Sequence, residues 1–181
     1  MRLHFVDINQ SVVDALAAAF ASHDEVEILC GDILAVASHC VISPANSFGY
    51  MDGGMDAAYY QFFGPSIQST VQTAIQRRPE GMLPVGAALA VSTGHERIPY
   101  LIVAPTMEMP ETVPASHAGR ALRAALRLID REPCLDGDVF CPGLATLVGG
   151  VDPTDAAASM ASAYESWLQT RIQDSTNTIH P

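Results

Sequence analysis

The residues with the clearest chemical potential lie in one loop, which follows a short apolar stretch at positions 40–43. Val41 and Ile42 are typical of the end of a buried strand, and Pro44 ends that strand. The positions from 46 to 56 then hold an amide, glycines and carboxylates: Asn46, Gly49, Asp52, Gly53, Gly54 and Asp56. Glycines let backbone N–H groups approach a ligand closely, and successive N–H groups in a loop form an anion-binding concavity. On its own the loop fits two interpretations, a ligand site or a turn in which Asp56 caps the next helix.

A second glycine-rich loop covers positions 142–151 and follows the apolar stretch GDVFC at positions 137–141. Asp152 and Pro153 come directly after it and predict a helix start, with proline at the first helical position. The N–H groups at such a start favour anions. Ligands of open α/β sheets bind beyond the carboxyl ends of the strands, so we expect both loops to face one crevice.

Apolar stretches typical of strands alternate along the chain with amphipathic stretches typical of helices. The predicted strands cover positions 3–8, 26–30, 40–43, 86–92, 99–104 and 137–141. The predicted helices cover positions 9–21, 34–37 (a short turn), 56–63, 66–77, 115–130 and 153–172. This alternation predicts a three-layer α/β domain around a mostly parallel or mixed sheet. We expect one domain at positions 1–173 and a flexible tail at positions 174–181.

Composition and charge restrict the function further. Of the 181 residues, 49% are hydrophobic and 16% are charged, which suits one compact domain. The net charge of −11 argues against a broad contact with nucleic-acid phosphates, although backbone N–H groups can still hold a nucleotide. No apolar run approaches the roughly 18 residues of a membrane span, and the start lacks the basic region of a signal peptide. The cysteines form no metal-binding pattern, and we expect Cys30 and Cys40 to be buried, reduced thiols of a cytoplasmic protein.

Five short motifs, taken in order, give the chain a family resemblance. They are Gly31-Asp32-Ile33, Pro44-Ala45-Asn46-Ser47, Gly53-Gly54-Met55-Asp56, Ala104-Pro105-Thr106, and the run from Pro142-Gly143-Leu144-Ala145-Thr146 to Gly150. Together they resemble the macrodomain, or ADP-ribose-binding, family over positions 26–167. The resemblance implies a three-layer α/β/α fold with a mixed central sheet. It implies neither a metal ion nor a cofactor.

The resemblance also implies a set of ligand-binding residues. Asp32 would accept a hydrogen bond from the adenine amino group with Ile33 beside the ring, or it would only cap the turn after Gly31. Asn46 would bind the distal ribose. The remaining implied contacts to the ribose and the diphosphate come from three segments: Gly53, Gly54 and Met55; Pro105 and Thr106; and Gly143, Leu144, Ala145, Thr146, Leu147, Val148 and Gly149.

The same resemblance assigns catalysis to Asp56 and Asn46. In the hydrolytic members that the chain looks like, an aspartate at this spacing orients or activates a water, which attacks the anomeric carbon of the distal ribose. Asn46 would orient that ribose. The implied activity is hydrolysis of mono-ADP-ribosyl groups or a related ADP-ribose derivative. The implied partner is ADP-ribose or an ADP-ribosylated macromolecule, with nucleic acid expected only as a modified substrate and no membrane partner.

Several positions depart from the family pattern and keep two alternatives open. Ser43 or Pro44 stands where the family often has asparagine, and Ala145 and Leu147 stand where it has small glycines. Gly149 replaces an aromatic residue that often packs on the distal ribose; the candidates to pack there instead are Phe48, Tyr50, Met51 and Met107. These changes fit a module that binds ADP-ribose without chemistry. They also fit a scaffold protein that has lost ADP-ribose binding.

Overall fold

The computed structural model describes residues 1–177, whose centre is a six-stranded sheet in the order β2-β1-β6-β3-β5-β4. The strands are β1 (Arg2–Asp7), β2 (Val26–Cys30), β3 (Cys40–Ser43), β4 (Leu89–Ser92), β5 (Tyr100–Val103) and β6 (Asp138–Cys141). All neighbours pair in parallel except β4, which runs antiparallel to β5 at one edge. The mixed sheet expected from the sequence is therefore confirmed.

Helices cover both faces of this sheet. They are α1 (Gln10–Ala19), α2 (Ile33–Val36), α3 (Gly54–Phe63), α4 (Ser66–Gln76), α5 (Ser116–Ile129) and α6 (Pro153–Asn177), with a short 3-10 turn at Pro133–Leu135. One core contains apolar residues of α1, α5 and α6, and the other contains those of α2, α3 and α4. In β3, Cys40 and Ile42 enter the first core while Val41 enters the second, because side chains alternate across a strand. The architecture has three layers, α/β/α.

The ends of several elements differ from the sequence expectation. The helix α6 continues to Asn177 instead of ending near position 172; of the expected flexible tail, positions 178–181 lie outside the described residues. The expectation that Cys30 is buried is wrong, because β2 is an edge strand and leaves this thiol exposed. Cys40 and Cys141 are buried, as central strands require. Among the described residues, no helix combines the length and apolar composition needed to cross a membrane.

The parallel strands bring the two glycine-rich loops together. Because β3 and β6 are parallel neighbours, the loops that follow them leave the same edge of the sheet. The neighbouring β1 ends at the same edge with Asp7, and β5 ends there before Pro105 and Thr106. The crevice expected from the sequence lies at this edge.

Candidate functional site

A cleft of about 420 Å³ opens beyond the carboxyl ends of β1, β2, β3 and β6. Most of the residues expected at a binding site line it: Asp32, Ile33, Asn46, Gly53, Gly54, Met55, Asp56, Thr106, Gly143, Ala145, Leu147, Val148 and Gly149. Pro105, Leu144 and Thr146 do not line it. Leu144 points into the hydrophobic core and is fully buried, and the hydroxyl of Thr146 donates to the carbonyl of Gly143, 3.3 Å away.

The side chain of Asp56 is almost enclosed, with 6% of its surface exposed, yet it reaches the cleft. It lies in the first turn of α3, after Gly53, which occupies the N-cap position. Asp56 is therefore not the N-cap residue that one interpretation of the loop required. Its Oδ1 accepts a hydrogen bond of 2.5 Å from the hydroxyl of Ser43, at the end of β3. The loop that follows β3 thus folds back, and the carboxylate of Asp56 contacts the end of β3.

Burial changes the acidity of Asp56. Loss of contact with water disfavours the charged carboxylate and raises its pKa to about 7. The hydrogen bond from Ser43 acts in the opposite direction, because it stabilises the charged form, whereas the negative charge of Asp52 raises the pKa further. A carboxyl group with this pKa changes its protonation state near neutral pH, as a general base requires.

The raised pKa also makes a stability prediction. Because the folded protein holds the Asp56 proton more tightly than the unfolded chain does, this group favours folding fully below about pH 4. That contribution to stability is lost as the pH rises from 3.8, the pKa of Asp56 in the unfolded chain, through about 7, its pKa in the folded protein. The pKa difference corresponds to about 4 kcal/mol. We expect Asp56→Asn to gain stability relative to the natural protein over this range, by up to about that amount, in urea titrations at pH 4.5 and 8.

The exposed carboxylate of Asp24 provides the control for that comparison. Like Asp56→Asn, Asp24→Asn removes one negative charge from a chain of net charge −11. The charge that it removes lies on an exposed side chain instead of a buried one. An equal pH-dependent gain in both variants would contradict the assignment to burial of Asp56.

The amide of Asn46 is largely used within its own loop. Its Oδ1 accepts hydrogen bonds from the N–H groups of Phe48 at 3.1 Å and Tyr50 at 3.2 Å, and its Nδ2 donates to the Tyr50 carbonyl at 2.7 Å. A carboxamide has two donors, so one N–H of Asn46 makes no hydrogen bond to the described residues. Asn46 thus fixes the shape of the loop and can offer a ligand one donor.

Asp32 caps a helix and also lines the cleft. Its Oδ1 accepts a hydrogen bond of 2.8 Å from the N–H of Leu34 and caps the short helix α2. The carboxylate also lines the cleft, with Ile33 beside it. Capping through one oxygen leaves the second oxygen available for a hydrogen-bond donor in the cleft.

The second glycine-rich loop is tied to β1 by a residue that the sequence analysis missed. Asp7 accepts a hydrogen bond of 3.0 Å from the N–H of Gly143 and one of 2.8 Å from the N–H of Asn9. A Cβ on Gly143 would lie 2.5 Å from Cγ1 of Val12 and 2.9 Å from Oδ2 of Asp7, so the tie requires glycine. The available signal was a carboxylate at the end of an apolar strand.

Close backbone packing also explains the absent aromatic residue at position 149. A Cβ on Gly149 would lie 2.6 Å from the carbonyl oxygen of Ala145, so no side chain fits there. The bulky Leu147 turns outward at the rim and is 63% exposed. Val148 crosses the mouth of the cleft, with its Cγ2 3.4 Å from where Gly54 would carry a Cβ. Of the aromatic and methionine substitutes considered, Tyr50 and Met107 line the cleft, whereas Phe48 and Met51 do not.

Two loop segments that border the cleft contain consecutive backbone N–H groups without an acceptor among the described residues. No described residue accepts a hydrogen bond from the N–H groups of positions 52–56 or of positions 144–149. In the part of the chain that the structure describes, four charged side chains line the cleft. All four are carboxylates: Asp7, Asp32, Asp52 and Asp56. An anion in this cleft would therefore be held by backbone N–H groups and the start of α3, because arginine is absent from the lining residues.

Comparisons with known proteins find relatives of similar sequence and of similar fold. An uncharacterized protein of Aquifex aeolicus is 36% identical over 138 residues, which cover 75% of this chain and 78% of the relative. The structure is similar to the macrodomain of Mycobacterium tuberculosis DarG, with a TM-score of 0.65 and 22% identity over 76% of this chain and 88% of that one. It is also similar to Thermosipho africanus DarTG in complex with ADP-ribose, with a TM-score of 0.63 and 15% identity over 75% of this chain and 37% of that one.

A family model decides the classification. The model described as Macro domain matches residues 42–160, about two thirds of the chain, and includes both glycine-rich loops. The solved relatives share the three-layer fold, and the sequence relative covers most of the chain. The chain belongs to the macro domain family.

Proposed function

We propose that the chain binds ADP-ribose in the cleft and hydrolyses mono-ADP-ribosyl groups, or a related ADP-ribose derivative, with Asp56 as the base that activates or positions the water. The observation that carries this proposal is the enclosed carboxylate of Asp56 between two loops rich in unbonded N–H groups. The solved structure of the Thermosipho africanus relative with ADP-ribose supports the choice of ligand.

The proposed pose follows from the chemistry of the lining residues. Asp32 accepts from the adenine amino group and Ile33 contacts the ring. The N–H groups of positions 144–149 and those at the start of α3 bind the diphosphate. Gly53 and Gly54 let the distal ribose approach the backbone, and the remaining N–H of Asn46 donates to a ribose hydroxyl. This pose directs the anomeric carbon towards Asp56.

The proposed reaction needs one water and one base. The water oxygen attacks the anomeric carbon as the bond from that carbon to the carrier group breaks, and the water gives a proton to the carboxylate of Asp56. The carrier group leaves with the bonding electron pair and takes up a proton from solvent, and Asp56 returns its proton to solvent and is ionised again. A positioned base and hydrogen bonds that favour an oxocarbenium-like transition state are sufficient for this displacement.

The adenine contact is tested by Asp32→Asn. The new amide oxygen still accepts from the N–H of Leu34, so the cap of α2 is retained, but an N–H₂ group now faces the adenine amino group. Two opposed donors cannot form a hydrogen bond, and we expect ADP-ribose to bind about tenfold more weakly or worse by calorimetry, with little change in melting temperature. Unchanged affinity would show that Asp32 only caps the helix.

The second candidate function is a module that binds ADP-ribose without turnover. The hydrogen bonds of Asn46 within its own loop favour it, because an amide that fixes the loop contributes less to orienting a ribose. Tight ADP-ribose binding without ADP-ribosyl release from modified proteins or nucleic acid would select this function. Absence of any nucleotide-dependent thermal shift would instead favour the scaffold alternative.

A further inference from the structure

We propose that Ser43 is a positioning residue for Asp56: its hydroxyl holds one carboxylate oxygen and keeps the carboxyl group able to ionise in an enclosed site. The inference rests on the proposed function for its kinetic consequence, but the interaction itself can be measured without turnover.

Among the described residues, Ser43 provides the one hydrogen bond that the Asp56 carboxylate accepts. Both side chains are enclosed, with Ser43 1% and Asp56 6% exposed, and their oxygens lie 2.5 Å apart. No other group in the part of the chain that the structure describes makes a hydrogen bond to the Asp56 carboxylate. Removal of the Ser43 hydroxyl therefore leaves Oδ1 without the donor that the described residues give it, and the charged form in the enclosed site is destabilised.

A hydroxyl suits this position because it can serve both protonation states. It donates to an ionised carboxylate and, after rotation about its own bond, accepts from a protonated one. When Asp56 takes a proton from the attacking water on its other oxygen, Oδ2, the Ser43 hydroxyl continues to donate to Oδ1. The hydrogen bond also occupies Oδ1, so Oδ2 is the oxygen that remains for the water.

The other titratable groups around Asp56 do not substitute for Ser43. Those that share the cleft or lie beneath it are Asp7, Asp32, Asp52, Tyr50 and Tyr59. The hydroxyl of Tyr59 already donates to the carbonyl of Ile42 at 3.0 Å, and Asp52 carries a like charge that opposes ionisation of Asp56. No cationic side chain lines this part of the described structure.

The experiment compares Ser43→Ala with a matched control, Ser47→Ala. Ser47 is equally enclosed at 1% exposure, but its hydroxyl donates to the Met107 carbonyl at 3.3 Å rather than to Asp56. The titration of the Asp56 side-chain carboxyl carbon is followed by NMR in protein labelled with ¹³C-aspartate, and Asp56→Asn assigns the signal. Thermal unfolding verifies that each variant is folded.

We expect Ser43→Ala to move the Asp56 titration to higher pH by about one unit or more, and Ser47→Ala to leave it in place. In a hydrolase, the rising limb of the pH–rate profile moves equally, which lowers the rate below the new midpoint about tenfold. An unchanged Asp56 titration in folded Ser43→Ala would overturn the proposal for Ser43. A shifted titration in a protein that releases no ADP-ribose would uphold it and reject only the proposed hydrolysis.

Discussion

Asp56→Asn is expected to abolish ADP-ribosyl release while ADP-ribose affinity changes by no more than a few-fold. The amide keeps the size of the side chain and can still accept the hydrogen bond from Ser43, so the loop and the start of α3 keep their shape. It cannot take a proton from water. Loss of a general base typically lowers turnover about 10²–10⁴-fold. Single-turnover release from a mono-ADP-ribosylated protein, with calorimetry for affinity, measures both quantities.

Asp52→Asn is the matched control for this prediction. Asp52 lies in the same loop and lines the same cleft, but its side chain is exposed. We expect turnover in this variant to stay within a few-fold of the natural protein, because only a neighbouring charge is removed. A loss of affinity that parallels the loss of turnover in Asp56→Asn would instead show that Asp56 maintains the fold of the loop.

The second large effect is expected in the pH dependence of ADP-ribosyl release. If Asp56 acts as the base, kcat/KM follows the fraction of the free protein in which this carboxyl is ionised. With a pKa near 7, the rate should rise about tenfold per pH unit below neutrality and become constant above it, about 100-fold in all between pH 5 and 8. Stopped assays across this range, with ADP-ribose affinity measured at the same pH values, test the profile.

Asp52→Asn tests whether the pH profile reports the ionisation of Asp56. The negative charge of Asp52 raises the pKa of Asp56, so Asp52→Asn should move the rising limb to lower pH. A rate that is constant from pH 5 to 8 in the natural protein would be inconsistent with Asp56 as a titrating base.

Much of the architecture was predictable because it depends on local patterns. The alternation of apolar and amphipathic stretches predicts all six strands within a few positions, and the resemblance predicts the mixed sheet. The glycine-rich loops follow β3 and β6, and parallel pairing alone brings them to one edge. Most residues of the expected site consequently line the cleft.

The missed features depend on contacts between segments distant in the chain. Ser43 and Asp56 are joined only because the loop after β3 folds back on its own strand. Asp7 meets the N–H of Gly143 across two neighbouring strands, 136 positions apart in the chain. The spacing of residues in the sequence also could not show that the Leu147 side chain is exposed. Nor could it show that the Asn46 amide makes its hydrogen bonds within its own loop. These arrangements follow from tertiary packing rather than from local propensity.

The most direct test of the account is a calorimetric titration of the natural protein with ADP-ribose at pH 7.5. The cleft is bordered by loops with unbonded backbone N–H groups and is lined by the carboxylate of Asp32 and the enclosed carboxylate of Asp56. The account predicts micromolar binding at one site per chain. No detectable binding at millimolar ADP-ribose would contradict it, and with it both the hydrolase and the binding-module interpretations.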